Sequence, residues 1–413
     1  MTTRRSVVHG LAGIGLGAGL ADGLFVAATA AVPLPPAEAG LTRSVAASAE
    51  WVTLPGKVPL IKRTFRPPNL ETPLEYFRDP ITPNKAFFVR YHHASIPPLD
   101  PASWSLKVGG PAAGQAVTFS LAQLRMQFEM VEVTALCLCS GNRRGLFNPH
   151  VPGVQWGSGA MGNARWRGVR LKDVLGKVGV NTSAVEVAFD GADGPAMPSG
   201  PDYQKSLPLS KALDPNTVIA LEMNGESLPP LHGAPARLIV PGWTATYWIK
   251  HLTAIELRTT PFDNFWIKTG YRIPLGKFTD TESFATQETA ANAPITRIAV
   301  NSLITAPESA SQVVRGGSVD VRGMAWDGGQ GLVRVEISLD QGGTWRAAEL
   351  GTSLGPYSLR PWSLKLLAPK QRGPLSVWAR ATSSNGATQP LDAIPNPSGY
   401  HHNRIQVLDL VVI

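Results

Sequence analysis

The spacing of apolar residues divides this chain into stretches with different structural expectations. Residues 11–31 form one apolar run rich in Gly and Ala. From about residue 50 to residue 83, Pro55, Pro59, Pro67, Pro68, Pro73, Pro80 and Pro83 recur too often for a long helix, because proline lacks the backbone donor and clashes in a helix interior. Between residues 84 and 274, short patterns of both kinds alternate. Leu171, Val174, Leu175 and Val178 share one face at helical spacing, and Ser120 is placed to cap a helix carrying Leu121 and Leu124. Runs at 185–189, 217–221 and 237–240 predict strands, so this section is α+β in character.

Farther on, the pattern becomes one of strands alone. Val333, Val335, Ile337 and Leu339 alternate with Arg334, Glu336 and Ser338, and the run closes on an Asp340-Gln341-Gly342-Gly343 turn. A second run covers 375–381 before Ser384-Asn385-Gly386. Polar, Thr- and Ala-rich residues 279–294 read as a boundary, and residues 295–413 predict an immunoglobulin-like β-sandwich.

The apolar run near the start changes meaning when its flanks are read. Thr3-Arg4-Arg5-Ser6 is a twin-arginine opening, and small residues around Ala28-Thr29-Ala30 or Ala37-Glu38-Ala39 offer cleavage sites, so residues 1–39 predict an export signal. Six glycines between residues 10 and 23 make the run a poor membrane-spanning helix. Gly13-x-Gly15-x-x-Ala18 mimics a dinucleotide-binding fingerprint, but no strand precedes it. The twin-arginine route carries folded proteins, which points to a cofactor inserted before export and to a periplasmic location, with no stable membrane span after cleavage.

Composition excludes more than it assigns. Gly (41) and Pro (36) make up about a fifth of the 413 residues, below the ~25–30% typical of low-complexity chains. Two Cys cannot fill a four-thiolate iron–sulfur site, and no C-x-x-C-H is present for covalent haem, so no haem is expected in this chain. The net charge of +8 is spread rather than blocked, which argues against nucleic acid and fits a small anionic ligand or a charged protein partner.

Candidate chemistry gathers in three segments. Arg90, His92 and His93 end the apolar run that contains Phe87, Phe88, Val89 and Tyr91. Cys139-Ser140-Gly141-Asn142-Arg143-Arg144 sets a thiol beside two guanidinium groups, which favour the thiolate that binds metals. Residues 156–166, from Trp156 to Trp166, are too Gly-rich for a helix interior. Singly, each has an ordinary structural reading: a small apolar Cys, surface ion pairs, a packed His.

Together these motifs resemble the sulfite oxidase family of molybdenum enzymes, from about residue 50 onward. Phe88-Val89-Arg90-Tyr91-His92 is similar to the family's F-V-R-N-H, with Tyr91 in place of Asn. Cys139-Ser140-Gly141-Asn142-Arg143-Arg144 is similar to C-A-G-N-R-R, and Gly159-Ala160-Met161-Gly162-Asn163-Ala164-Arg165-Trp166 to G-A-I-G-N-A-R-W. Pro201-Asp202-Tyr203 followed by Ser206-Leu207-Pro208 resembles the segment bearing the active-site tyrosine. Gly242-Trp243, Ala245-Thr246-Tyr247-Trp248-Ile249-Lys250-His251-Leu252 and Ala325-Trp326-Asp327-Gly328-Gly329 resemble the branch of periplasmic bacterial sulfite dehydrogenases that reduce a c-type cytochrome.

The resemblance implies an extended segment over 40–83, a mixed α/β molybdopterin-binding catalytic domain over 84–280, and a sandwich for dimerisation or partner binding over 295–413. It implies a molybdenum–molybdopterin cofactor with Cys139 as the protein ligand to the metal, and Arg90, Arg144, Tyr203 and Trp156 around the substrate. Phe88, Val89, Arg90, Tyr91, His92, Asp193, His232, Arg237, Trp248, Ile249 and Lys250 would contact the cofactor. The implied reaction is oxidation of sulfite to sulfate, with electrons leaving singly to a c-type cytochrome, in a homodimer or a heterodimer with a cytochrome subunit. A sulfane dehydrogenase component of a thiosulfate-oxidising system carries nearly the same motifs. A non-catalytic exported β-sandwich binding protein is a third reading, opposed by the intact Cys139, Arg90 and Tyr203. Where many family members carry an Arg in the Gly-rich turn of the sandwich, this chain has Gln330-Gly331. Cys137 is expected to be structural, since a disulfide to Cys139 would be strained.

Overall fold

The computed structural model describes residues 49–278 and 282–413, so the expected export signal lies outside the described residues. The proline-rich stretch forms short strands instead of helix. Trp51–Val52, Leu60–Thr64, Asn69–Glu71 and Val89–Arg90 pair in sequence order as a small antiparallel sheet, broken by one 3-10 turn at Leu74–Phe77.

Two five-stranded sheets form the body of the α+β section. One runs in the order Lys205–Pro208, Glu186–Gly191, Leu252–Arg258, Ser105–Gly109, Val117–Ser120, with a single parallel pair where Ala254 faces Lys107. The other places Met130–Leu138 beside Met161–Arg170, then Val218–Met223, which pairs with both Glu226–Ser227 and Arg237–Ile239. The expected helices form at Leu121–Gln127 and Leu171–Val178. The first has a reciprocal capping box: Ser120 Oγ accepts from the Gln123 backbone N–H, and Gln123 Oε1 accepts from that of Ser120. All four apolar residues on the second are buried.

The second section is an immunoglobulin-like β-sandwich. One sheet contains Asn301–Ala306, Ser318–Trp326, Arg360–Leu367 and Glu349–Leu350; the other contains Gln312–Val313, Gln406–Val412, Gly373–Ser383, Leu332–Ser338 and Arg346–Ala347. Val335 and Ile337 face its core as expected, but Val333 is 51% exposed. A bulge between Leu332 and Arg334 interrupts the period of two there, so Val333 leaves the inward face. Each section has its own apolar core, and a third cluster of Phe77, Leu136, Leu138, Met161, Leu303, Met324 and Trp326 joins them. Within the expected boundary, the described residues also pack inward: Thr286 Oγ1 and Gln287 Nε2 donate to buried Glu186.

The Gly-rich turn that precedes Met161–Arg170 is shaped by what presses on it. A Cβ on Gly159 would stand 2.1 Å from Thr72 O, and one on Gly162, inside the strand that follows, 2.4 Å from the Phe87 ring. Glu71, wholly buried, clamps this turn. Its carboxylate accepts from the backbone N–H groups of Gly157 and Gly159 and from both Arg63 Nε, at 2.8 Å, and Arg63 Nη2, at 3.2 Å. Truncation would leave the Gly157 and Gly159 N–H groups without that acceptor. We expect Glu71→Ala to lose about 3–5 kcal/mol of stability, measured by urea denaturation.

Candidate active site

Four strand termini bring the charged groups together. Arg90 ends Val89–Arg90, Cys139 follows Met130–Leu138, Arg237 opens Arg237–Ile239, and Lys250 stands two residues before Leu252–Arg258. Their side chains line one cavity, shared with Phe88, Tyr91, His92, Asp193, Tyr203, Trp248, Ile249, and four residues the sequence reading did not name as site residues: Ser140, Ala245, Thr246 and Tyr271. Cys139 is half-buried, with its backbone N–H donating to Ala160 O at 3.0 Å.

The cavity concentrates positive charge in a desolvated space. Burial opposes ionisation of Arg90, but Tyr271, Cys139 and Tyr203 facing it hold the guanidinium above its ordinary value. Burial, and then the neighbouring Arg237, push Lys250 well below the usual lysine range; its Nζ donates to Arg90 O at 2.7 Å. Arg237 is flanked by the Trp166 and Trp248 rings at 5.4 and 5.8 Å. It donates from Nη1 to His232 O and from Nη2 to Cys137 Sγ, while its buried Nε has no partner among the described residues. Burial raises the Asp193 carboxyl, against the pull of Lys250.

Aromatic groups complete the wall. Burial and then Arg90 push His92 well below the normal histidine range, so it is neutral at pH 7. Its Nε2 lies 3.1 Å from the Tyr271 hydroxyl, and its ring lies against Tyr203 at 4.4 Å and Trp266 at 5.0 Å. The two tyrosines differ in engagement. Tyr203 donates to Thr246 O at 2.8 Å, with Thr246 Oγ1 also at 3.0 Å. Tyr271, like Tyr203, faces Arg90, and it also faces Cys139; the fully buried Lys205 has its Nζ 5.5 Å from the Tyr271 ring centre and donates to Trp266 O. Tyr271 sits at φ 57°, a left-handed conformation that nothing in the local sequence announces. The density of rings at Phe262, Phe265, Trp266 and Tyr271 was the available signal.

Four expected site residues stand outside this lining. Trp156 is fully buried in the first core and forms no wall of the cavity. Arg144 does not pair with Arg90 as a second fork, because residues of the sandwich section cover it. Its Nε donates to Ser398 O at 2.8 Å, its Nη1 to Val154 O at 3.1 Å, and its guanidinium lies 5.2 Å from the Tyr400 ring centre. Val89 points into a small core with Leu60, Leu70 and Tyr91. His232 is not among the lining residues; its ring stands 5.1 Å from that of Phe87. Gln330 does not reach the cavity either; its carbonyl accepts from Ser384 Oγ. Tyr91, replacing the family's Asn, places its hydroxyl 3.0 Å from His251 Nε2 and donates to Leu231 O at 3.2 Å.

These residues suit an anionic cofactor that brings its own metal ligands. The unpartnered Arg237 Nε, with Lys250 and Arg90, offers donors to an anion. Among the described residues, no group of three or more His, Cys, Asp or Glu could hold a metal, so a metal on Cys139 needs further ligands from a non-protein group.

Comparisons with known proteins agree with this fit. Residues 93–266 match the oxidoreductase molybdopterin binding domain, and residues 292–407 match the Mo-co oxidoreductase dimerisation domain. Mitochondrial sulfite oxidase of Mus musculus is 34% identical over 87% of this chain and 66% of its own length. Sulfite oxidase of Gallus gallus is 34% identical over 80% of this chain and 72% of its own length. The chain thus spans somewhat under two thirds of the first mammalian relatives, 61% for that of Rattus norvegicus. Among solved structures, the sulfane dehydrogenase SoxCD of Paracoccus pantotrophus superposes with a TM-score of 0.70 over 94% of this chain and 93% of its own, at 25% identity.

His232 has a feature the motifs did not suggest. Lys57, from the proline-rich segment, brings its Nζ to 2.5 Å from His232 Nε2 and donates to Asn84 O at 2.6 Å and Phe87 O at 3.0 Å. Burial lowers this lysine from 10.5 to about 7. The unfolded chain therefore binds more protons between pH 7 and 10.5, and the contribution of Lys57 to stability rises with pH through that window. We expect Lys57→Met to flatten the rise, changing its stability difference from the wild type by about 1–2 kcal/mol between pH 7 and 9 in urea titrations.

Proposed function

We propose, for a chain that belongs to the sulfite oxidase family of molybdenum oxidoreductases, that it oxidises sulfite to sulfate and passes the electrons one at a time to a c-type cytochrome. The observation that carries this reading is the meeting of the Cys139 thiol and the Arg90 guanidinium in one cavity with Arg237, Lys250, His92 and Tyr271. The cofactor is molybdenum–molybdopterin, which when bound supplies oxygen-atom transfer and takes up the electron pair. The overall change is sulfite plus water to sulfate, two protons and two electrons.

The protein's own groups divide the remaining work. Cys139 supplies the thiolate to the metal, and Arg237 and Lys250 hold the anionic part of the cofactor, with Asp193 beside Lys250. Arg90 binds the sulfur oxyanion through charge-assisted, forked hydrogen bonds. Neutral His92 and the Tyr271 hydroxyl share a hydrogen bond and can hold a proton beside the reacting oxygen. Tyr203 braces the wall through Thr246. Arg144 contributes charge toward Tyr271 from behind Tyr400, without touching the substrate space.

The cytochrome acceptor rests on the likeness of residues 242–252 and 325–329 to the cytochrome-linked branch, and the periplasmic location on the twin-arginine opening. No helix among the described residues is long and apolar enough to cross a membrane. The dimerisation-domain match supports pairing, either with a second copy or with a cytochrome subunit. The likeness to a sulfane dehydrogenase over 94% of the chain favours one second reading, in which the substrate is sulfane sulfur carried by a partner protein.

Steady-state turnover with cytochrome c or ferricyanide, alongside metal analysis, separates these readings. We expect about one molybdenum per chain and turnover with sulfite. Turnover with a persulfide-loaded carrier protein but not with sulfite would select the second reading. Cys139→Ser should abolish sulfite oxidation with the circular dichroism unchanged; retained turnover would refute the ligand assignment. Arg90→Met should lower kcat/KM by about tenfold to a hundredfold, the worth of a charged hydrogen bond. Tyr271→Phe should cost more kcat than Tyr203→Phe, since the Tyr271 hydroxyl bonds His92 while that of Tyr203 bonds Thr246.

A further inference from the structure

A second cavity, of about 180 Å³, lies where the loop after Cys139 meets the approach to the last strand. Arg143 and Ser158 line it from the first section, and His402, Arg404 and Gln406 from the sandwich. None of these five lines the cavity around Cys139.

Three buried nitrogens of residues that line this space, two of them fixed donors and one an imidazole nitrogen, find no partner among the described residues. Arg143 is 2% exposed and binds neutral acceptors at two corners of its fork: Nη1 donates to Asn301 Oδ1 at 2.7 Å, and Nη2 to Ser302 O at 2.8 Å. Its Nε has no partner among the described residues. Gln406 accepts the Ile304 N–H on Oε1 at 2.6 Å, which fixes the amide orientation and leaves the buried Nε2 as an unmet donor. His402 Nδ1 is likewise unpartnered and buried. Arg404 is exposed, with Nε donating to Leu391 O at 2.7 Å.

Native structures leave only a few buried polar atoms per hundred residues unmet, and they are rarely gathered in one place. Here three belong to residues that line one space, and no carboxylate among the described residues lines it. Burial alone pushes Arg143 down to about 10, as for a guanidinium without a counter-charge. Burial, and then Arg143, push His402 down to about 3, so its ring is neutral and can donate one N–H. Water could satisfy the hydrogen bonds but would leave the desolvated charge uncompensated; an anion does both.

We propose that this cavity is a second anion site, which binds a small oxyanion of the sulfate or hydrogen phosphate type through Arg143 Nε, Gln406 Nε2 and His402 Nδ1, with Arg404 at the rim. The bound ion ties the loop after Cys139 to the sandwich. This site does not depend on which sulfur substrate the chain oxidises.

The test uses holoenzyme crystals soaked in selenate or, separately, in arsenate, each located by its anomalous scattering. We expect a peak within hydrogen-bond distance of Arg143. A selenate peak alone assigns the site to sulfur oxyanions, and an arsenate peak alone to phosphate. Gln406→Glu keeps the acceptor for Ile304 and puts a carboxylate in the anion's place, so the peak should vanish. Arg404→Ser, at the exposed rim, guards against a folding failure of the buried variant and should weaken affinity about tenfold, read as the soak concentration that half-fills the site. Water alone under both soaks, or a peak unaltered in both variants, overturns the proposal.

Discussion

Positive charge held away from water, with few carboxylates to balance it, is the constraint on which this structure depends. Arg143, Arg144 and Arg237 are all buried. Each is held by backbone carbonyls, an amide oxygen, sulfur or aromatic faces: Arg143 by Asn301 Oδ1 and Ser302 O, Arg144 by Ser398 O and Tyr400, Arg237 by His232 O and two Trp rings. Such neutral acceptors stabilise a cation without cancelling it. The field therefore remains available to an anionic cofactor, an anionic substrate and, in the second cavity, another anion.

That requirement explains why the two sections cannot be treated as independent. Carbonyls and rings from the sandwich complete the surroundings of arginines borne by the first section. Asn301 and Ser302 hold Arg143, while Ser398 and Tyr400 hold Arg144. The Tyr400 ring stacks on Tyr271 at 5.6 Å, and the His401 N–H donates to Ser140 O at 3.3 Å, one residue after the proposed metal ligand. The shared apolar cluster around Met161 and Trp326 fixes the geometry these polar contacts need. The proline-rich segment acts similarly from the other side, where Glu71 and Lys57 reach into the first section.

Much of this organisation was legible along the chain. Helices formed where apolar residues had a period near 3.6 and a capping residue stood in front, as at Ser120 and Leu171–Val178. The sandwich followed from alternation and turn residues. The ordered motifs around Arg90, Cys139 and Gly159 identified the family, and most residues carried over from them, including Tyr203, Asp193, Arg237 and Lys250, do line one cavity. Such readings succeed because periodicity and motif spacing are local properties.

What the sequence by itself determined is thus the identity of the elements and the chemistry at their ends. Only the tertiary structure decided which side of a residue faces the site. Trp156 and Arg144 sit in the right motifs, yet one turns into the core and the other is covered by a segment some 250 residues away. Tyr271 lies in no quoted motif, and reaches the cavity through a left-handed backbone, with a buried lysine beside its ring. The bulge that expels Val333 likewise depends on how its strand pairs with Gly373–Ser383. The physical reason is common to all four: orientation is set by partners distant in sequence, whose carbonyls, rings and pairing registers exist only once the chain has folded.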